Sequence, residues 1–198
     1  MTPDTVTIRL MTEADIPRLA EIRASFVSPT VLAVERTGSG LESGWRLVER
    51  TLPEPFDKGD KYDFDRTERE NIRKRWRRGD GLHLVVDSGE QIVGVLDVTP
   101  QEWNSIAWVW NIMLDEEIRG YGIGRNLFQR AVTWAEQRGY RTLIFETQTN
   151  NVPACKFYVA MGCRLEGIRE MYYTNKDVER DEVAIFWAYP LAGPSARG

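Results

Sequence analysis

The chain of 198 residues is 42% hydrophobic and carries a net charge of −4. This size and composition fit one domain with one hydrophobic core, which we predict over residues 1–191, followed by a disordered tail at 192–198. The acidic balance argues against a general nucleic-acid binder, and no apolar run is long enough to span a membrane. We therefore expect a cytoplasmic protein whose partners include neither nucleic acid nor membrane.

The first quarter of the chain carries few regular patterns. Residues 6–10 alternate like a short strand, and Thr12 or Asp15 can cap a helix that follows it. Residues 26–46 lose any periodicity among Ser, Pro, Gly and Thr, so no regular element is predicted there. A short extended piece is expected around residues 45–51.

A basic helix is predicted over residues 66–78, ended by Gly79. Its many arginines could grip nucleic acid. Glu68 and Glu70 interrupt the basic patch, however, and the chain as a whole is acidic. The pattern therefore favours a solvated helix.

From residue 82 onward, strand-like runs alternate with two amphipathic helices. The predicted strands are 82–87, 91–99, 103–114, 142–147, 165–173 and 183–189. One helix follows the glycines near residue 122 and ends at Gly139, and a shorter helix spans 152–161. This order predicts an α+β (mixed α/β) fold. Its twisted central sheet would be mostly antiparallel, with one parallel crossover and helices on both faces.

The segment before the long helix is the most informative part of the chain. It reads Arg119-Gly120-Tyr121-Gly122-Ile123-Gly124-Arg125. Alternate glycines let the main chain approach an anion closely, and the N–H groups at a helix start bind phosphate. The spacing matches neither the dinucleotide fingerprint nor the P-loop. The alternative interpretation of these glycines, taken alone, is a simple turn that binds no ligand.

A second block stands where the next helix leaves the sheet. It reads Glu146-Thr147-Gln148-Thr149-Asn150-Asn151-Val152-Pro153-Ala154-Cys155-Lys156-Phe157-Tyr158. Together with the glycine loop upstream, it resembles the GNAT acetyltransferases, and specifically their streptothricin acetyltransferase branch. Further matches extend the resemblance over about three quarters of the chain: Pro55-Phe56-x-Lys58 with the acidic segment that contains Tyr62, Trp103-Asn104, and residues 182–187.

The resemblance implies acetyl-CoA as cosubstrate, no metal, and a coenzyme cleft that opens between the strands ending at Leu114 and Thr147. The implied cofactor residues are Ile112, Met113 and Leu114 for the pantetheine arm, Arg119, Gly120, Tyr121, Gly122, Ile123, Gly124 and Arg125 for the pyrophosphate, and Asn151, Ala154 and Phe157 on the far side of the cleft. Tyr158 falls where these enzymes place the acid that protonates the departing thiolate.

Acetyl transfer to an amine needs a base as well as an acid. An aliphatic amine with a pKa of about 10.4 is almost wholly protonated at pH 7, so a proton must leave it before attack. Asp97 is our first candidate for the acceptor of that proton, ahead of Glu102 and Glu146. A tyrosine with a pKa of about 10 suits the later protonation of the thiolate.

The acceptor that the resemblance implies is a streptothricin-like antibiotic, which would lose a positive charge and with it its activity. The expected acceptor-binding residues are Tyr62, Asp63, Trp103, Trp110 and Asn111. The streptothricin branch carries a carboxylate pair where this chain has Trp110-Asn111. Another polyamine, an amino acid derivative or a protein amine therefore stays open as acceptor. A non-catalytic module that binds CoA or nucleic acid is the alternative from a different class, and the protein is expected to be a monomer or a homodimer.

The remaining reactive side chains have simpler interpretations. Cys155 and Cys163 fit small buried hydrophobic residues, with no histidine nearby in sequence to activate a thiolate. Direct transfer in a ternary complex is therefore favoured over a cysteine-bound acetyl group. His83 fits a half-exposed packing residue, and these few cysteines and histidines argue against a disulfide framework or a zinc site.

Overall fold

The structure is a computed structural model that describes residues 6–59 and 64–191. The described elements, in chain order, are β1 Thr7–Leu10, α1 Asp15–Arg18, β2 Val27–Thr37, β3 Gly44–Asp57, α2 Arg66–Arg78, β4 Leu82–Asp87, β5 Ile92–Gln101, β6 Ile106–Leu114, α3 Ile123–Gln137, β7 Thr142–Gln148, α4 Val152–Ala160, β8 Arg164–Arg169 and β9 Ala184–Pro190. The fold is mixed α/β with a mostly antiparallel sheet and one parallel pair, β6 and β7, which confirms the predicted fold class. In the described ranges, no helix is long and apolar enough to cross a membrane.

The chain divides into two compact units. Of the described residues, unit 1 comprises 6–25, 59, 64–144 and 190–191, and unit 2 comprises 26–58 and 145–189. The predicted disordered tail at 192–198 lies outside the described residues.

Unit 1 is built on β1, β4, β5 and β6, which pair antiparallel in that order. Helices cover both faces of these strands. On one face, Val85 packs in a core cluster with Ile16 of α1 and Ile72 of α2, all three completely buried. Leu84 points to the opposite face, where it lines a groove with Trp134 of α3. Because both faces are covered, β5 is buried from Ile92 to Pro100.

Unit 2 contains β9 paired with β8, and a separate two-stranded ribbon of β2 and β3. The ribbon pairs 11 residues with 14, from Val27 opposite Asp57 to Thr37 opposite Gly44. The prediction that residues 26–46 hold no regular element is wrong. Most side chains of the ribbon are exposed or half-buried, so the sequence lacks the apolar alternation that marks a strand. Pro29 is tolerated because the register shifts between Ser28 and Thr30.

Two strands are shorter than predicted. Strand β6 begins at Ile106, since residues Glu102–Asn104 form a 3-10 turn. Strand β8 ends at Arg169 rather than at residue 173, and the backbone N–H groups of Tyr172 and Tyr173 bond to the carboxylate of Asp177 instead of to a strand.

The predicted capping of α1 is also wrong. Asp15 is the first residue of this helix, and its carboxylate accepts from the backbone N of Thr12 at 2.7 Å and from the guanidinium of Arg9. No side chain caps the helix at Ala14.

Candidate active site

The glycine loop lies between the end of β6 and the start of α3, inside unit 1. Gly120 and Gly122 both have φ of 83°, in the left-handed region that glycine enters without strain. A Cβ built on either glycine meets no atom of the described chain within 4 Å. The loop therefore exposes its main chain to open space, as a loop that receives a ligand must.

The N-terminus of α3 differs from those of the other two long helices. Asp65 caps α2 by accepting from Glu68 N at 2.7 Å, and Asn151 caps α4 by accepting from Ala154 N at 3.2 Å. Helix α3 begins after Gly122, with no capping side chain in the described chain and no acidic residue in its first turn. Its first N–H groups and the positive end of its dipole are thus available to an anion.

The two arginines of the loop have different contacts. Arg119 donates to Leu114 O at 2.9 and 3.0 Å and to Ser25 O at 2.6 Å, so it ties the loop to the end of β6. The exposed guanidinium of Arg125 makes no hydrogen bond within residues 6–59 and 64–191. Arg125 is therefore the more available of the two cations.

Strand β6 carries a β-bulge that the sequence did not predict. Ile112, Met113 and Leu114 pair regularly with β5, but the register then shifts, because Asn111 lies opposite Asp97 while Val109 lies opposite Val98. Trp110 is the extra residue between them. A bulge leaves backbone groups outside the ladder and redirects a side chain, which is frequent beside active sites.

A buried polar network lies around this bulge in unit 1. The carboxylate of Asp97 is completely buried, and Arg75 donates to it from Nε at 2.7 Å. His83 Nδ1 lies 3.0 Å from the other carboxylate oxygen. Glu68 Oε1 accepts from Arg75 at 2.8 Å and from Asn111 Nδ2 at 3.0 Å. Sequence reasoning missed Glu68 and Arg75, since nothing in the pattern of α2 distinguishes them from its solvated charges.

The network corrects two expectations. His83 is buried, at 6% exposure, because it is held beside Asp97 and not at the surface. Helix α2 is not solvated all round, since Ile72 is buried and the side chain of Arg75 is 12% exposed. Other arginines of α2 also pair with acidic groups, for example Arg77 with Glu13. These pairs partly neutralise the basic patch.

The predicted acceptor-binding residues are only partly gathered here. Trp110 is half-exposed, donates to Thr99 Oγ1 at 2.8 Å, and has its ring 4.8 Å from the guanidinium carbon of Arg75. Asn111 is buried beneath the same network. Trp103 lies apart in the 3-10 turn, 83% exposed. Tyr62 and Asp63 lie outside the described residues.

In unit 2, Glu146 on β7 is the notable acid. The hydroxyl of Tyr173 donates to Glu146 Oε1, and Gln148 Nε2 donates to the same hydroxyl at 3.0 Å. Burial raises the pKa of Glu146 above its usual value, although the hydrogen bond from Tyr173 and the charge of Lys58 act in the opposite direction. Tyr173 and Lys58 are both far from Glu146 along the chain, so the sequence did not predict either of them as its neighbour.

Helix α4 places the predicted tyrosine in an aromatic setting. Tyr158 is 6% exposed, and its ring lies 4.9 Å from that of Phe145 and 6.3 Å from that of Trp187. Asn151 and Ala154 meet through the helix cap, and Phe157 packs edge-on against Tyr158 at 5.6 Å. The four predicted residues of α4 and its cap are thus close neighbours.

Both cysteines are buried in unit 2, as expected. Burial raises the pKa of Cys155 and of Cys163 to about 12. A thiol with that pKa is protonated at neutral pH and is a poor nucleophile.

Comparison with known proteins agrees with these features. A model of the Acetyltransferase (GNAT) family matches residues 43–163. A streptothricin acetyltransferase of Escherichia coli is 34% identical over 98 residues, which are 50% of this chain and 56% of that protein. The chain therefore matches little more than half the length of that relative. A streptothricin acetyltransferase of Streptomyces lavendulae is 27% identical over 177 residues, 89% of this chain and 90% of that protein.

Solved structures show the same fold. The acetyl coenzyme A complex of a protein from Bacillus anthracis str. Ames has a TM-score of 0.73 to this chain at 24% identity, covering 94% of this chain and 97% of that one. The chain thus belongs to the GNAT family of N-acetyltransferases, acyltransferases that use acetyl-CoA, as the resemblance in its sequence implied.

Proposed function

We propose that this enzyme transfers the acetyl group of acetyl-CoA directly to a primary amine of a small cationic molecule, with a streptothricin-like antibiotic as the leading acceptor. The names of the relatives support this acceptor. Acetylation turns an ammonium group into a neutral amide, so the product would lose a positive charge on which an antibiotic depends. Resistance would follow. We keep a cytoplasmic location as part of the proposal.

The observation that carries the proposal is the uncapped start of α3. The diphosphate of acetyl-CoA is an anion, and N–H groups at a helix start, with Gly120 and Gly122 allowing close approach, fit such a group. The exposed Arg125 adds a cation, while Arg119 holds the loop in place. Acetyl-CoA supplies the activated acyl carbon. The residues of the protein orient the coenzyme and transfer the protons.

We assign the role of proton acceptor to Glu146 in preference to Asp97. Asp97 is completely buried and its oxygens already face Arg75 and His83, so an incoming ammonium group has no place to bind it. Glu146 is half-buried, and its raised pKa brings it closer to that of the amine it must deprotonate. Asp97 then serves to anchor the residues around the β6 bulge.

Two further steps complete the proposal. Backbone N–H groups at the bulge of β6 suit the oxygen that becomes negative when the amine attacks, because preorganised donors need no rearrangement. Tyr158 would then protonate the departing thiolate of CoA. A cysteine-bound acetyl group is not part of the proposal, since burial raises the pKa of both thiols to about 12.

The exposed aromatic side chains of unit 1 support a cationic acceptor. Trp110 is half-exposed, its ring lies against the guanidinium of Arg75, and Arg75 in turn pairs with Glu68. An exposed indole surface attracts an ammonium group. These features select for positive charge and not for one particular molecule. Another polyamine, an amino acid derivative or a protein amine remains the alternative acceptor.

A thiol-release assay tests the proposal. The enzyme is incubated with acetyl-CoA and one amine in each of several parallel reactions. The amines are streptothricin, aminoglycosides, polyamines and peptides that carry a free amino terminus. We expect release of CoA to be fastest with streptothricin and to depend on its presence. If CoA is released fastest with another amine, that amine replaces streptothricin as the proposed acceptor. If no amine raises the release of CoA above the amine-free rate, the proposed function is contradicted.

A further inference from the structure

One buried carboxylate organises the segment that follows β8 in unit 2. Asp177 is 1% exposed, and its Oδ2 accepts from the backbone N of Tyr172 and of Tyr173, each at 2.9 Å. Its Oδ1 accepts from Thr174 N at 2.7 Å and from Thr174 Oγ1 at 2.6 Å. Three consecutive backbone N–H groups and one hydroxyl therefore converge on a single side chain, which fixes the backbone at Tyr173.

The other end of Tyr173 meets β7. Its hydroxyl donates to Glu146 Oε1 and accepts from Gln148 Nε2, so both polar functions of the phenol are used. The ring is held as well, because it packs edge-on against Tyr172 at 5.1 Å, and Tyr172 packs edge-on against Phe186 at 5.6 Å. A continuous set of contacts thus runs from the Asp177 carboxylate to the Glu146 carboxylate.

We propose that Asp177 is a positioning residue for acetyl transfer: it folds the segment after β8 so that the Tyr173 hydroxyl is held on the Glu146 carboxylate. This inference deepens the proposed function and rests on the role assigned there to Glu146. Asp177 itself does not touch Glu146 and acts only through Tyr173.

The physical effect is on the charge of Glu146. A hydrogen bond from Tyr173 stabilises the ionised carboxylate, the form that accepts a proton. The charge of Lys58 also acts on Glu146, and the Lys58 ammonium lies 3.1 Å from Glu182 Oε1. Burial of Glu146 opposes both effects, because it favours the neutral carboxyl group. Without Asp177, the three N–H groups would turn to water and Tyr173 would leave Glu146, so the base would hold its proton to higher pH.

The segment buries few of its side chains. Residues 171–176 and 178–180 are exposed, and Asp177 is the buried residue among them. Exposed backbone with few apolar contacts is the kind of structure that opens easily. One acceptor that serves four donors therefore constrains where Tyr173 lies, in addition to the contacts of the Tyr173 side chain itself.

The test compares Asp177→Asn, Tyr173→Phe and the double variant with the wild type. Asn keeps the size of Asp177 but replaces one acceptor oxygen by a donor. The readouts are the ¹³C chemical shift of the Glu146 carboxyl group as a function of pH, and the acid limb of the pH profile of kcat/KM. Asp181→Asn is the matched control, because the Asp181 side chain only pairs with the exposed Arg50 within the described chain.

We expect both single variants to move the Glu146 titration and the acid limb upward by about one pH unit, the size of one hydrogen bond to a charged group. The double variant should move them no further than Tyr173→Phe alone, since Asp177 acts through Tyr173. Asp181→Asn should leave both at the wild-type position. Thr174→Val, which removes one donor to Asp177, should give a smaller shift in the same direction and replaces Asp177→Asn if that variant does not fold.

The proposal is overturned if folded Asp177→Asn or, in its place, Thr174→Val leaves the Glu146 titration where the wild type has it, or if the double variant adds the two shifts. Failure of the proposed function gives a different result. In that case the wild type would not acetylate amines, while the Glu146 titration, which needs no substrate, would still report whether Asp177 positions Tyr173.

Discussion

The carboxylate of Asp97 lies 2.6 Å from the guanidinium of Arg75, in a part of unit 1 where Asp97 has no exposure to solvent. The ring of Trp110 lies over the guanidinium, and His83 lies on the other side of the carboxylate. A buried charge pair of this kind is costly to break, because either partner left alone keeps the penalty of burial without its compensation. The pair therefore fixes α2 against β5, beside the bulge of β6.

Arg75→Leu is expected to lower the free energy of unfolding by about 3 to 5 kcal/mol, since it leaves the carboxylate of Asp97 buried without its main partner. Urea denaturation followed by circular dichroism measures this. Arg78→Ala is the matched control on the same helix. Its partner Asp80 is exposed enough that the loss should be about 1 kcal/mol or less. Equal losses of unfolding free energy in the two variants would contradict a larger contribution of the buried pair to stability.

Glu146→Gln and Asp97→Asn distinguish the two candidate bases. We expect Glu146→Gln to lower kcat/KM about 100-fold and to remove the acid limb of the pH profile. Because burial raises the pKa of Glu146, that limb should lie above the value of about 4.3 usual for glutamate, with activity lost as the pH falls through it. Asp97→Asn should mainly reduce stability. Loss of the limb in Asp97→Asn, with Glu146→Gln unaffected, would restore Asp97 as the base.

Gly122→Val tests the glycine loop. Valine at φ of 83° is strained, and its side chain would enter the open space where we place the diphosphate. We expect the Kd for acetyl-CoA, measured by calorimetry, to rise about tenfold or more, which corresponds to about 1.4 kcal/mol.

Gly89→Val is the control for backbone strain. Gly89 has φ of 88° in the turn between β4 and β5, and a Cβ there also meets nothing within 4 Å. It should lose similar stability without a change in Kd. A wild-type Kd in folded Gly122→Val would remove the loop from the acetyl-CoA site.

Tyr158→Phe is expected to lower kcat about 100-fold with little effect on the Kd for acetyl-CoA, because it removes a proton donor used late in the reaction. Single-turnover and binding measurements separate the two effects. Tyr140→Phe is the control, since Tyr140 is also buried and its hydroxyl contacts only Glu102 at 3.3 Å within the described chain. Unchanged turnover in Tyr158→Phe would exclude Tyr158 as the acid.

The sequence predicted the regular second half of the chain well, because there the apolar periods and the glycine and proline signals agree. Helix α3 is an example: its buried residues recur at helical spacing from Ile123 to Ala135. The ribbon of β2 and β3 was missed for the opposite reason. Its strands are stabilised by pairing with each other, and their mostly exposed or half-buried side chains leave no apolar pattern to find.

The candidate site was predictable where function depends on the backbone and less so where it depends on distant side chains. Gly120 and Gly122 stand out in the sequence because a left-handed φ demands glycine. Tyr173 and Glu146 are 27 residues apart, and only the folded segment around Asp177 brings them together. Likewise, Arg75 could not be separated from the solvated arginines of α2 until its burial was seen.

The most direct test of the account is a crystal structure of the enzyme soaked with acetyl-CoA. We predict that the diphosphate accepts hydrogen bonds from backbone N–H groups at the start of α3, with Gly120 and Gly122 against it and Arg125 beside it. A coenzyme bound with its diphosphate away from this helix start, or a saturated crystal with no coenzyme there, would contradict the central claim.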